Sequence, residues 1–267
     1  MKKFLKKNTY VLINIVSVIA FFIIWQIYAQ ANKEHSYINP KFMPAPTDIL
    51  TTFKKYLDAG TLFENIYVSV LRIAEGFALG TVIAVLLGYL MSKHPVFENI
   101  VNPLISFFGA IPPYAFMPLF IIWFGIGEDS KVILITFSAF LPMLSYTIQG
   151  IKSIDPLLIR SAKSLGANNL QVFRYVVLKS ALPSIIAGMK VSVSLSFSAL
   201  IVAEMIGADK GLGYIIVDAR NYFKVADMFM AMVIIAVLSI LIQTGFNFIE
   251  KKLFKWKKDG MSSAVEQ

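Results

Sequence analysis

The sequence predicts an all-helical integral membrane protein with six transmembrane helices. Of its 267 residues, 57% are hydrophobic and 15% charged, whereas soluble domains carry roughly 45–50% and about 25%. Its mean hydropathy is +0.69. Apolar runs long enough to cross roughly 30 Å of hydrocarbon account for the surplus. The chain has no cysteine, which excludes disulfides and thiolate metal sites, and the composition disfavours a soluble enzyme.

The first span covers residues 10–29, which carry no charge and follow a basic head. Such a head is also typical of signal peptides. The apolar run, however, exceeds the roughly 7–15 residues of a signal sequence. We therefore expect residues 1–30 to form a cytoplasmic tail and a retained first span.

The other five spans alternate with short polar connections. They cover residues 66–91, 99–126, 132–151, 180–206 and 228–249. The third contains Pro112 and Pro113, which remove backbone donors and push the preceding residue out of the helical region. We expect this span to be broken near residues 111–114. An extracytoplasmic segment would then occupy residues 31–63, a core of five transmembrane helices residues 64–250 and a basic tail residues 251–267.

The formal net charge of +9 is distributed unevenly. With six spans, the side that holds both termini carries fifteen Lys and Arg against five acids, and the opposite side eight against nine. Cytoplasmic loops are enriched in Lys and Arg. The charge therefore predicts that both termini are cytoplasmic, and a nucleic-acid partner is unnecessary.

A short amphipathic helix is predicted in the extracytoplasmic segment. Thr47 can cap it, and Gly60 lies beyond its end. Its apolar face would consist of Ile49, Leu50, Phe53, Tyr56 and Leu57. The helix would lie along the membrane interface or pack as an ordinary surface helix.

The cytoplasmic loop, residues 152–179, has the most informative pattern. Asp155 followed by Pro156 is a typical helix start, and Gly166 is suited to a left-handed helix end. Asn168 or Asn169 can start a second helix. The first of these helices carries an apolar stripe that consists of Leu157, Leu158, Ala162 and Leu165. Such a helix suits insertion into a partner's groove; the alternative is a helix folded back on its own bundle.

The stretch RSAKSLGANNLQVFRYVVLKSALPS, residues 160–184, resembles the EAA loop of ABC-importer permeases. Ser161 and Ala162 take the two small positions of that motif, and Gly166 takes its glycine. Arg160 and Lys179 depart from the usual acid and proline. The resemblance implies that the loop contacts a cytoplasmic ATPase. The expected contact residues are Ser161, Ala162, Lys163, Leu165, Gly166 and Ala167.

Three further stretches resemble the sulfonate/nitrate/taurine-type permeases. They are FMPAPTDIL (42–50), AIPPYAFMPLFIIWFGIGEDSKV (110–132) and VAEMIGADKGLGYIIVDARNYF (202–223). The resemblance implies a type I ABC-importer permease fold in a bacterial inner or plasma membrane. It also implies a second permease copy, ABC ATPase subunits and an extracytoplasmic solute-binding protein.

Ionisable residues within the spans are candidates for the translocation path. Glu204 lies near the outer end of the fifth span, where exposure at the interface is an alternative. Arg72 and Glu75 are spaced to pair on one helix face. The Gly211-Leu212-Gly213 sequence predicts a tight turn rather than a phosphate site.

The sequence favours a transport subunit without enzymatic activity. It has no G-x-x-x-x-G-K-[ST] loop to bind nucleotide phosphates, so we expect ATP hydrolysis on a separate subunit and neither cofactor nor metal here. The first hypothesis is an ATP-driven importer of a small anion such as a sulfonate, taurine or nitrate. Alternatives are an importer of pyrimidine- or thiamine-precursor solutes, an ion-gradient-driven transporter and a membrane-embedded enzyme.

Overall fold

A computed structural model describes the backbone of residues 2–254 and the side chains from Leu12 to Phe254. The regular structure in this part is entirely helical. The helices are α1 (Lys2–His35), α2 (Pro46–Asp58), α3 (Thr61–Lys93), α4 (Pro95–Gly109), α5 (Met117–Phe124), α6 (Glu128–Lys152), α7 (Pro156–Ser164), α8 (Asn169–Gln171), α9 (Leu178–Gly207), α10 (Leu212–Asn221) and α11 (Val225–Leu253).

Six membrane spans are present when one bent helix pair is counted as a single span. Within the described residues, α1, α3, α6, α9 and α11 are each long and apolar enough to cross a bilayer. The predicted all-helical fold is confirmed. Residues 255–267 of the predicted basic tail lie outside the described residues.

The centre of the molecule is the contact of α6 with α3 and α9. Glycines on α3 allow α6 to approach closely: a Cβ at Gly80 would lie 2.6 Å from the backbone oxygen of Thr136, and one at Gly76 would lie 2.6 Å from a methyl carbon of Ile135. Small residues have this role between membrane helices, because van der Waals packing replaces the hydrophobic effect there. Leu134 and Ile135 are fully buried at this contact.

The third span is broken, as predicted. Helix α4 ends at Gly109, a 3₁₀ turn covers Pro113–Phe116, and α5 continues. The axes of the two arms differ in direction by 88°. Pro112 and Pro113 lack N–H donors, which ends the regular helix at this point.

The first two helices differ from their predicted boundaries. Helix α1 continues to His35, beyond residue 30. Helix α2 begins at Pro46, so the predicted cap at Thr47 is wrong; the Ala45 N–H instead donates to Asp48 Oδ2 at 2.9 Å. Leu50, predicted on the apolar face of this helix, is 68% exposed.

Helix α2 connects the first and last spans. Lys33 of α1 forms an ion pair with Asp48 at 2.7 Å. Tyr56 donates a 3.0 Å hydrogen bond to Asp227 Oδ2 on α11. Partial burial and the Asp227 carboxylate raise the pKa of Tyr56. The hydroxyl therefore stays protonated and able to donate at neutral pH.

Candidate functional site

The loop of residues 152–179 begins with the predicted cap. The Leu157 N–H donates to Asp155 Oδ1 at 2.8 Å, and Pro156 takes the first helical position. Helix α7 ends at Ser164. Gly166 follows at φ +83°, the left-handed conformation that glycine adopts without a Cβ penalty. The helix–glycine–helix arrangement is thus confirmed.

The second half of the loop starts at Asn168 rather than Asn169. Asn168 Oδ1 accepts from the Gln171 N–H at 2.9 Å, and Gln171 Oε1 accepts from the Asn168 N–H at 2.8 Å. A π-helical segment, Val172–Val177, then continues directly into α9. π-Helical segments are rare in proteins, and those that do occur lie frequently at functional sites. The sequence pattern did not reveal this one.

Helix α7 and the residue that follows it present an exposed apolar surface. Leu165 is 88% exposed, and Leu157 and Leu158 are also exposed. The alternative in which this stripe is buried against the bundle is therefore wrong for these three leucines. A groove of about 320 Å³ lies between α7 and the π-helical segment. The predicted contact residues Ala162, Leu165, Gly166 and Ala167 line this groove.

The second site is an ion cluster, which we define as Ser69, Arg72, Glu128 and Glu204. Ser69, Arg72 and Glu204 are buried, whereas the Glu128 side chain is 57% exposed. The Arg72 guanidinium binds Glu128 through two parallel hydrogen bonds of 2.6 and 2.7 Å. It also donates to Glu204 Oε1 at 2.8 Å. Ser69 Oγ donates to the same Glu204 oxygen at 2.7 Å. Bidentate arginine–carboxylate pairs of this kind are strong and geometrically specific.

The ion cluster holds the turn that precedes α10. The backbone N–H groups of Gly211, Leu212 and Gly213 donate to Asn65 Oδ1, Ser69 Oγ and Glu204 Oε2, respectively, at 2.7–2.9 Å. This sequence is therefore a turn, as predicted, and its donors are occupied by the protein's own side chains.

Gly211 is required at this turn for two reasons. Its φ is +127°, which side chains disfavour. A Cβ there would also lie 2.5 Å from the Glu204 carboxyl carbon. The close approach of backbone and carboxylate therefore depends on the absence of a side chain.

Two sequence predictions about these charges are wrong. Glu204 is only 1% exposed, so it does not face the interface. Arg72 binds Glu128 and Glu204 rather than Glu75, which is exposed. The place of Arg72, Glu75 and Glu204 in the translocation path stays a prediction. For Arg72 and Glu204, burial and mutual pairing favour a structural role.

Sequence reasoning missed four members of this network: Asn65, Ser69, Glu128 and Lys131, which forms an ion pair with Glu128 at 2.9 Å. One signal was available. Asn65, Ser69 and Arg72 are spaced four and three residues apart and therefore lie on one helix face. A polar stripe inside an apolar span indicates an intramolecular partner, but not which one.

The fold and its two sites define a multi-span membrane protein: a bundle of apolar spans with an exposed apolar loop and a fixed polar network. Residues 80–256 match the model of the binding-protein-dependent transport system inner membrane component family. The chain belongs to this family.

Known relatives agree with this assignment. The chain is 32% identical to the taurine transport system permease protein TauC of Escherichia coli, over 82% of each chain. It is 33% identical to the putative aliphatic sulfonates transport permease protein SsuC of Bacillus subtilis, over 88% of this chain and 83% of that one. Its fold resembles an inward-facing conformation of the MetNI methionine ABC transporter, with a TM-score of 0.65 at 20% identity, covering 73% of this chain and 97% of that one.

Proposed function

We propose that this permease forms the membrane path of an ATP-driven importer whose ATPase is a separate subunit bound to the cytoplasmic loop. The exposed α7 surface carries this proposal. Leu165 is almost fully exposed beside a groove, and the left-handed Gly166 fixes the end of the helix. Ser161, Ala162, Lys163 and Ala167 complete the proposed contact.

The proposed substrate is a small organic sulfonate or a similar anion. Support comes from the relatives, which are named for taurine and aliphatic sulfonates. An extracytoplasmic solute-binding protein would deliver the substrate, in line with the family description. Nitrate and pyrimidine- or thiamine-precursor solutes are the alternatives.

A second copy of the chain completes the proposed permease. The break in the third span supports this, because the single chain leaves Gly109, Ala110 and Pro112 exposed. Irregular backbone at membrane depth is tolerated only where protein buries it or where it lines a water-filled cavity. A second copy packed on this face would provide such cover.

The proposed orientation places both termini and the α7 loop in the cytoplasm of a bacterial inner or plasma membrane. The support is the excess of Lys and Arg on that side. Helices α2 and α10 would then lie outside. This places the ion cluster at the outer ends of its spans.

Reconstitution in liposomes tests the proposal. The permease is co-purified with its partner ATPase and supplied with its binding protein and labelled taurine. We expect uptake that requires ATP and stops when the Walker lysine of the ATPase is replaced. Uptake driven by a proton or sodium gradient without ATP would instead support the ion-gradient-driven transporter. The permease alone should not hydrolyse ATP.

A further inference from the structure

A cavity of about 530 Å³ opens beside the break in the third span, apart from both sites described above. It lies between the end of α4 and the middle parts of α6 and α9. Ser138 on its wall is ten residues from the start of α6, about 15 Å along the helix. The cavity is therefore close to the middle of the membrane.

Three uncharged polar side chains line this cavity without partners. Ser138 is only 2% exposed, and its hydroxyl makes no hydrogen bond within the described part of the chain. The Asn102 and Ser106 side chains likewise have no partner there. These two residues are four apart on α4 and so face the same side. An unpaired hydroxyl on the wall of a cavity is free to bind water or a ligand there.

Prolines add free acceptors on the same wall. Pro142 has no N–H to donate to the carbonyl of Ser138, and Pro113 has none for the carbonyl of Gly109. All four residues line the cavity. The cavity therefore offers both donors and acceptors at a depth where apolar lipid would offer neither.

The cavity has no ionisable side chain among the described residues that line it. Its remaining wall is apolar and includes Ile105, Leu141 and Leu195. Neutral donors bind an anion more weakly than an arginine would. Weak binding suits a path, because a transported ion must leave as readily as it enters.

We propose that this cavity is an intramembrane station for the substrate, where Asn102, Ser106 and Ser138 donate hydrogen bonds to the oxyanion head of a small organic acid. This rests on the proposed import of such anions. The proposed second copy would close the open side of the cavity. The buried Arg72 and Glu204 then stay paired with each other while the anion passes.

Cysteine labelling tests the site directly, because the chain has no cysteine of its own. Ser106→Cys and Ser138→Cys are treated in membrane vesicles with two methanethiosulfonate reagents, one with a sulfonate head and one with a trimethylammonium head. Each rate is divided by that reagent's rate with free cysteine. We expect a preference of about threefold or more for the sulfonate reagent, the range that one or two hydrogen bonds supply. Excess ethanesulfonate should slow the reaction.

Val82→Cys is the matched control, since it is an exposed apolar position on α3 and should react slowly with both reagents. An equal or faster normalised rate for the cationic reagent would overturn the proposal. So would the absence of reaction at both serine positions. Ser106 is exposed, so its variant decides the matter if Ser138→Cys does not accumulate.

Transport separates this inference from the proposed function. Asn102→Leu should reduce ATP-driven taurine uptake about tenfold, while ATP hydrolysis stimulated by the binding protein continues. Unchanged uptake would contradict a role for Asn102. If the unmodified complex shows no ATP-driven uptake, the proposed function fails, but the charge preference of the labelling reaction still reports on the cavity.

Discussion

At the scale of single residues, Gly166 allows the clearest prediction for the cytoplasmic loop. Its φ is +83°, and no atom lies within 4 Å of the position that a Cβ would take. Any penalty for a side chain therefore comes from the backbone conformation rather than from a clash. Gly166→Val should strain the end of α7 by about 1–3 kcal/mol. Transport and ATPase binding should fall, while the protein still accumulates in the membrane.

Gly166→Asn is the matched control, because asparagine tolerates the left-handed region better than valine does. It should retain more ATPase binding in a co-purification assay. Lys163→Ala, on the exposed side of α7, should have a smaller effect than Gly166→Val. Normal transport by Gly166→Val at a normal membrane level would contradict the prediction.

Glu204 should contribute to the thermal stability of the protein, because its carboxylate is buried and hydrogen-bonded. Its carboxylate accepts from Ser69, Arg72 and the Gly213 N–H. Glu204→Ala leaves these donors without that acceptor, and breaking a buried pair costs about 3–5 kcal/mol. We expect a clear fall in the melting temperature of the detergent-purified protein.

Glu75→Ala serves as the comparison, because Glu75 is an exposed acid on the same helix as Arg72. Its melting temperature should stay close to that of the original protein. If the two variants melt alike, the ion cluster does not have the structural role inferred here.

At the scale of helices, Tyr56 tests the connection between α2 and α11. Tyr56→Phe removes the hydrogen bond to Asp227, which is 8% exposed and has no other side-chain partner in the described residues. Leaving a buried acceptor unpaired costs about 1–3 kcal/mol. The thermal stability of the purified protein should fall accordingly. Tyr67→Phe, at an exposed position, should have little effect.

The pH dependence of this connection has a definite sign. The pKa of Tyr56 is raised in the folded protein by burial and by Asp227. The stability it contributes is therefore fully present below the unfolded pKa of about 10 and is lost as the pH rises through the folded pKa. The difference in stability between Tyr56→Phe and the original protein should shrink as the pH rises above about 10. A constant difference would argue against the hydroxyl as its cause.

The sequence predicted what depends on local chemistry. The lengths of the apolar runs predicted the spans, and Pro112 and Pro113 predicted the break in the third one. Asp155 and Gly166 predicted where α7 begins and ends. It did not give the partners of Arg72, because Glu128 and Glu204 lie 56 and 132 residues away along the chain. Their proximity is a property of tertiary packing, which no local spacing records.

At the scale of the whole molecule, topology is the most direct prediction. Reporters fused after Ile154 should show a cytoplasmic location, and reporters near Gly60 or Asp218 an extracytoplasmic one. The reason is the excess of Lys and Arg on the side that holds the α7 loop. An opposite reading at Ile154 would mean that the chain is inverted.

The ion cluster also sets an order of events during synthesis. Chains grow at about 5–20 residues per second, so Arg72 precedes Glu128 by roughly 3–11 seconds and Glu204 by roughly 7–26 seconds. If α3 inserts during that interval, its guanidinium is unpaired and must reach toward the nearest headgroups. The arginine is neutralised first by Glu128 and only later by Glu204. The synthesis of α9, the fifth of the six spans, therefore completes one end of α3, the second span.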